Sequence, residues 1–88
     1  MENNNMVKVY TKTVCQPCRF TKEFLKNNSI PFIEVNIEEQ PSAIDELKLA
    51  GYMGVPVVAV GSLDNSWQGF RPDRLEELVT ERTDKNEN

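Results

Sequence analysis

Cys15 and Cys18 are the only cysteines in the chain, and they stand where a strand pattern gives way to a helical one. Met6-Val7-Lys8-Val9-Tyr10-Thr11 is β-branched and aromatic with partial alternation, whereas residues 19–28 carry Phe20, Phe24 and Leu25 at helical spacing. The motif Cys15-Gln16-Pro17-Cys18 therefore opens a helix. Backbone N–H groups at a helix N-terminus lack intrahelical acceptors, and the positive end of the helix dipole favours a thiolate over a thiol. Lys12, Arg19 and Lys22 add positive charge from the same stretch. With Gln16 and Pro17 between them, the cysteines share the first turn and are close enough to close a small disulfide ring.

Other uses of the pair fit less well. A structural zinc site takes four Cys or His ligands, and a chain with two cysteines and no histidine cannot complete one unless a second copy supplies the rest. A structural disulfide across so short a loop removes little unfolded-state entropy. Two unrelated core cysteines would not need to meet a strand end and a helix start together. Redox chemistry of a dithiol is the reading on which motif and setting agree.

At 88 residues the chain makes one domain with one core, too small for a large cofactor cavity. The net charge of -4, with no run of Lys and Arg, argues against nucleic-acid binding. No stretch approaches the length of a membrane span, and Met1-Glu2-Asn3-Asn4-Asn5 lacks the basic and apolar parts of a signal peptide. The expected location is cytoplasmic, where a paired dithiol cycles rather than staying oxidised.

Residues 1–5 and 83–88 are polar and read as flexible tails around a single domain over 6–82. After the first helix, Ser29-Ile30-Pro31 breaks the pattern, and residues 32–37 form a second strand, parallel to the first because a helix joins them. Pro41 opens a helix in which Ile44, Leu47 and Ala50 recur until Gly51. Residues 55–60 are a dense β-branched run, 61–65 supply turn residues, and 66–70 read as a short antiparallel return strand. Pro72-Asp73 opens a last helix with Leu75, Leu78 and Val79 on one stripe. The order βαβ, α, ββα predicts an α/β fold, a four-stranded mixed sheet with helices on both faces. At this length that arrangement matches the small thioredoxin-like fold of glutaredoxin type.

Two further stretches stand out. Val55-Pro56 places a proline at the start of the third strand, since proline cannot donate within a sheet. Trp67-Gln68-Gly69-Phe70-Arg71-Pro72-Asp73 joins the hairpin to the last helix and reads either as ordinary core and turn or as a recognition segment. Together with the dithiol and the preceding Tyr10-Thr11-Lys12, it makes residues 7–79 resemble the glutaredoxin-like redoxins of the NrdH type, electron donors to class Ib ribonucleotide reductase.

That resemblance implies a thiol-disulfide oxidoreductase acting on protein disulfides. It implies reduction by thioredoxin reductase rather than by glutathione, with NADPH used only indirectly, no bound cofactor beyond the dithiol itself, no metal, and a monomer. Lys12, Gln16, Pro17, Val55 and Pro56 become active-site neighbours, with a cis Val55–Pro56 bond exposing the Val55 backbone to an incoming peptide in strand-like fashion. Trp67, Gly69, Phe70, Arg71, Pro72 and Asp73 become partner-binding residues. Glutathione-binding glutaredoxins carry Gly-Gly and acidic residues before the last helix, and this chain has Gln68-Gly69-Phe70-Arg71-Pro72-Asp73 there. One departure is Gln16-Pro17 between the cysteines, where many members have a hydrophobic residue and Gln. The expected mechanism has Cys15 attacking a target disulfide and a more buried Cys18 resolving the mixed disulfide, at a potential of about -270 to -200 mV. The competing functions are a glutathione-dependent dithiol glutaredoxin and a non-catalytic redox-sensing module.

Overall fold

The computed structural model describes the backbone of residues 6–86 and the side chains of 6–80. The elements run β1 (Val7–Thr11), α1 (Gln16–Asn27), β2 (Phe32–Asn36), α2 (Ser42–Leu49), β3 (Val57–Val60), β4 (Ser62–Gln68) and α3 (Pro72–Asn86). They form one sheet in the order β2-β1-β3-β4. β1 is parallel to β2 and antiparallel to β3, which is antiparallel to β4. This is the four-stranded mixed sheet that the sequence predicts.

Alternation along the two central strands divides the core. Val7, Val9, Val58 and Val60 point to one face, where they meet Leu25 of α1 with Leu75 and Leu78 of α3. Tyr10, Val57 and Ala59 point to the other, where they meet Ala43 and Leu47 of α2. β3 is buried along its whole length, as a central strand covered on both faces must be. Helices therefore lie on both sides of the sheet.

Both crossover helices stop in the same way. Ile30 N–H reaches Leu25 C=O and Ser29 N–H reaches Lys26 C=O after α1, while Tyr52 N–H reaches Leu47 C=O and Gly51 N–H reaches Lys48 C=O after α2. These are Schellman closures, which place the residue beyond the cap in the left-handed region and press an apolar residue back on the last turn. Gly51 meets that demand freely at φ 92°, whereas Ser29 meets it with a side chain at φ 57°.

The structure moves several expected boundaries: β2 ends at Asn36 rather than residue 37, and β4 runs Ser62–Gln68 rather than 66–70. β3 begins at Val57 rather than Val55, because Pro56 lies outside the ladder. The stretch read as a turn over 61–65 is a tight turn at Gly61, φ 84°, followed by a bulge. Pairing jumps from Ala59↔Ser66 to Val60↔Ser62, leaving Leu63, Asp64 and Asn65 without partners in the strand. α3 continues to Asn86, into the stretch assigned to the C-terminal tail. The tail assignments for residues 1–5 and 87–88 lie outside the described residues.

Candidate active site

The sheet brings four segments to one end. β1 ends there at Thr11 and leads to the dithiol, and parallel β2 ends beside it, pairing Asn36 with Thr11. Antiparallel β3 starts there, since Tyr10 pairs with Val57 and one step on sets Pro56 opposite Thr11. β4 ends there too, with Gln68 paired to Val57 and Gly69 following. Parallel and antiparallel ladders around β1 thus converge the cysteines, Val55-Pro56 and the 69–73 stretch.

Cys15 is the N-cap of α1, with extended backbone at φ -159° and ψ 101°, and its Sγ accepts the Cys18 N–H at 3.2 Å. A cap acceptor on an otherwise unpaired helical N–H is the position where a negative sulfur gains most from the helix end. Pro17 falls within the first turn, where a missing N–H costs nothing, and that turn holds no acidic residue to oppose a thiolate. Cys15 and Cys18 are joined by a disulfide. Cys15 is half-buried while Cys18 is 1% exposed, so the two sulfurs differ in access. Gln16, Pro17 and Lys12 are exposed around them.

Two of the cations near the dithiol are engaged elsewhere. Lys22 Nζ lies 2.9 Å from Glu34 Oε2, which also accepts from the buried Thr11 hydroxyl at 2.8 Å. Lys22, then Thr11, hold the Glu34 carboxyl below the ordinary carboxylate range against the opposing effect of partial burial. Arg19 faces Glu23 at 3.9 Å. Lys22 and Arg19, read from the sequence as positive charge beside Cys15, therefore have carboxylate partners of their own.

The Val55–Pro56 bond is cis. Pro56 is buried, and its carbonyl accepts the Gly69 N–H at 2.7 Å, tying this loop to the turn after β4. Gly69 makes that turn at φ 93°. Phe70 is half-buried and packs its ring on Phe20 of α1, with centroids 5.9 Å apart. Pro72 is exposed, and Arg71 and Asp73, also exposed, form a two-point pair at 3.2 and 3.0 Å. That pairing raises the Arg71 pKa and lowers that of Asp73.

Trp67 is a correction. It is 5% exposed and sits in the core with Leu75 and Leu78, because it pairs with Val58 and shares that strand's inward face. Arg74 lies over its ring at 4.7 Å. It lies beneath the 69–73 segment rather than presenting a surface itself.

Several neighbours escaped the sequence reading. Glu38 accepts the Thr13 N–H at 3.2 Å, Asn36 Nδ2 donates to Thr13 Oγ1 at 3.3 Å, and Val14, just before Cys15, is 83% exposed. The parallel register of β1 and β2 was the available signal, since continuing it past Thr11↔Asn36 carries residues 37–38 alongside 12–13. Among the described residues no three His, Cys, Asp or Glu side chains gather as metal ligands. No described helix is long and apolar enough to cross a membrane.

Comparison with known proteins agrees with this geometry. The glutaredoxin family model matches residues 7–63. The glutaredoxin-like protein NrdH of Escherichia coli K12 is 36% identical over 72 residues, 82% of this chain and 86% of that one. The chain belongs to the glutaredoxin family, in its NrdH-type branch. The NrdH of Lactococcus lactis MG1363 is 37% identical to this redoxin over 74 residues, 84% of this chain and all of that one. The redoxin matches the solved E. coli NrdH-redoxin with a TM-score of 0.77 at 36% identity, covering 83% and 93% of the two chains. A glutaredoxin from Archaeoglobus fulgidus matches with a TM-score of 0.73 at 31% identity, covering 85% and 86%. The redoxin is a thiol-disulfide oxidoreductase with the Cys15–Cys18 pair as its disulfide-forming dithiol.

Proposed function

We propose that this redoxin is a cytoplasmic, monomeric electron donor to class Ib ribonucleotide reductase, itself reduced by thioredoxin reductase with electrons that originate in NADPH. The observation that carries the reading is the 69–73 segment. Arg71 and Asp73 are bound to one another and Phe70 is packed on Phe20, where a glutathione-binding glutaredoxin offers its Gly-Gly and acidic residues. The E. coli NrdH-redoxin, described for a thioredoxin-like activity profile, supports the same reading.

Cys15 is the attacking sulfur because it is the more accessible and caps the helix. Its thiolate attacks one sulfur of the target disulfide, forming a Cys15–target bond and releasing the other target sulfur as a thiolate, which takes a proton from water. Cys18 then loses its proton, attacks the Cys15 sulfur and releases the second target thiolate. The Cys15–Cys18 disulfide of the structure is the oxidised end of that cycle, with two electrons passed to the target. A dithiol of the reductase reverses the exchange. An extended target segment lies along the Val55 backbone beside the cis proline, with Lys12, Gln16 and Pro17 bordering it and residues 69–73 forming the far wall.

The test is ribonucleotide reduction by a class Ib enzyme supplied with NADPH, thioredoxin reductase and catalytic redoxin. Sustained product formation is expected, with none from Cys15→Ser and a trapped mixed disulfide from Cys18→Ser. Equal turnover in both single variants contradicts the division of roles, and failure of the wild type under these conditions contradicts the donor function.

A further inference from the structure

Lys12, Thr13 and Val14 separate the end of β1 from Cys15, and all are exposed, so the core does not fix them. Their anchor comes from the end of β2. Ile37 donates its N–H to the Thr11 carbonyl at 2.8 Å, extending the parallel ladder. Beyond it Glu38 Oε1 accepts the Thr13 N–H, and Asn36 Nδ2 donates to Thr13 Oγ1. Asn36 Oδ1 in turn accepts the Glu38 backbone N–H at 2.9 Å, so the Asn36 side chain fixes the backbone that carries Glu38 while both residues hold Thr13. Ile37, between them, packs on the Tyr10 cluster and roots the arrangement in the core.

A carboxylate held two residues before Cys15 also fixes a charge there. The Thr13 side chain and N–H hold the Glu38 carboxyl below the ordinary carboxylate range, and attraction to Lys12 adds to them. Glu38 is therefore ionised wherever a thiol titrates. Lys12, the cation between β1 and Cys15 in the chain, is the positive group that this carboxylate attracts. A nearby negative charge disfavours a thiolate. It also raises the intrinsic nucleophilicity of the sulfur, and the best attacking thiol has a pKa near ambient pH rather than the lowest attainable.

We infer that Glu38 is a positioning residue for Cys15: through Thr13 it fixes the segment leading into the dithiol, and its charge, set against Lys12, keeps the Cys15 thiol less acidic than the helix end alone makes it. The inference rests on Cys15 being the attacking sulfur.

The test uses reduced wild-type, Glu38→Gln and Lys12→Met redoxins, alkylated with iodoacetamide from acid to alkaline pH, with labelled sites read by peptide mass. The glutamine keeps an oxygen for the Thr13 N–H and removes only the charge. Glu38→Gln is expected to lower the apparent Cys15 pKa, so that alkylation well below it is about two- to threefold faster. The alkaline plateau changes less, and melting temperature stays near that of wild type. Lys12→Met is expected to shift the profile the other way, and high salt to shrink both shifts. A Glu38→Gln profile that superimposes on wild type, or a rate change equal at every pH, overturns the role of Glu38. Labelling of Cys18 ahead of Cys15 in wild type instead contradicts the proposed nucleophile, and with it this inference.

Discussion

Ser29→Gly should stabilise the redoxin, although it removes a side chain. Ser29 follows the cap of α1 at φ 57°, held there by its own N–H to Lys26 C=O and by the Ile30 N–H to Leu25 C=O. Leu25 and Ile30 are both core residues, so relaxing the backbone to suit serine would lift them out of place. A non-glycine residue in the left-handed region costs about 1–2 kcal/mol. Glycine loses more chain entropy on folding, which takes back about 0.5–1 kcal/mol. The net gain is about 0.5–1 kcal/mol, and a domain of this size converts it to a rise of roughly 2–8 °C in melting temperature. Far-UV circular dichroism of the oxidised protein during thermal unfolding measures it, with urea unfolding to confirm an unchanged m-value. Ser29→Ala is the control, since alanine keeps the strain and should not share the gain. A melting temperature that falls or stays level in Ser29→Gly, or rises equally in Ser29→Ala, refutes the reasoning. Disulfide reduction should be unaffected, because α1 places its two ends about 18 Å apart.

Three other outcomes follow from the geometry. The Glu34 carboxyl is held below its ordinary range, so its stabilisation is fully present above the unfolded value of about 4.3 and is lost as pH falls through the folded value. A pH series of urea midpoints should show that acid limb flattened in Glu34→Gln, by no more than about 1 kcal/mol for a side chain 38% exposed. Trp67, the only tryptophan, should be shielded from iodide quenching until the protein unfolds, and Trp67→Ala should cost about 3–5 kcal/mol in denaturant titrations. Easy quenching in the native state would contradict its place in the core. Gly69→Ala should cost about 1–2 kcal/mol through backbone strain alone, because φ is 93° and no atom lies within 4 Å of the added carbon; an unchanged melting temperature would count against that turn.

Much of this architecture was legible in the chain because its elements are locally consistent. The β-branched runs, the helical spacing of Phe20, Phe24 and Leu25, and Gly51 and Pro72 at helix boundaries all agree with what formed. The dithiol was legible for the same reason, being defined by a motif at a strand-to-helix junction. What was not legible depends on contacts across the sheet. Trp67 looked like a recognition residue beside Gly69 and Phe70, yet pairing with Val58 turned it inward. The bulge at Leu63 to Asn65 was hidden because turn-forming residues also suit an unpaired stretch of strand. Lys22 and Arg19 read as free charge until β2 and the next helical turn supplied Glu34 and Glu23. The hold of Glu38 on Thr13 spans 25 residues and comes from strand register, which no local pattern carries.

The central claim is that Cys15 and Cys18 pass electrons from thioredoxin reductase to protein disulfides. Its most direct test is insulin-disulfide reduction at catalytic redoxin concentration, run in parallel with NADPH plus thioredoxin reductase and with NADPH plus glutathione and glutathione reductase. Many turnovers per redoxin are expected with the first system and background rates with the second. Turnover with glutathione alone would make this a glutathione-dependent glutaredoxin, no turnover with either would make it a redox-sensing module, and either result would contradict a role as a thioredoxin-reductase-driven donor.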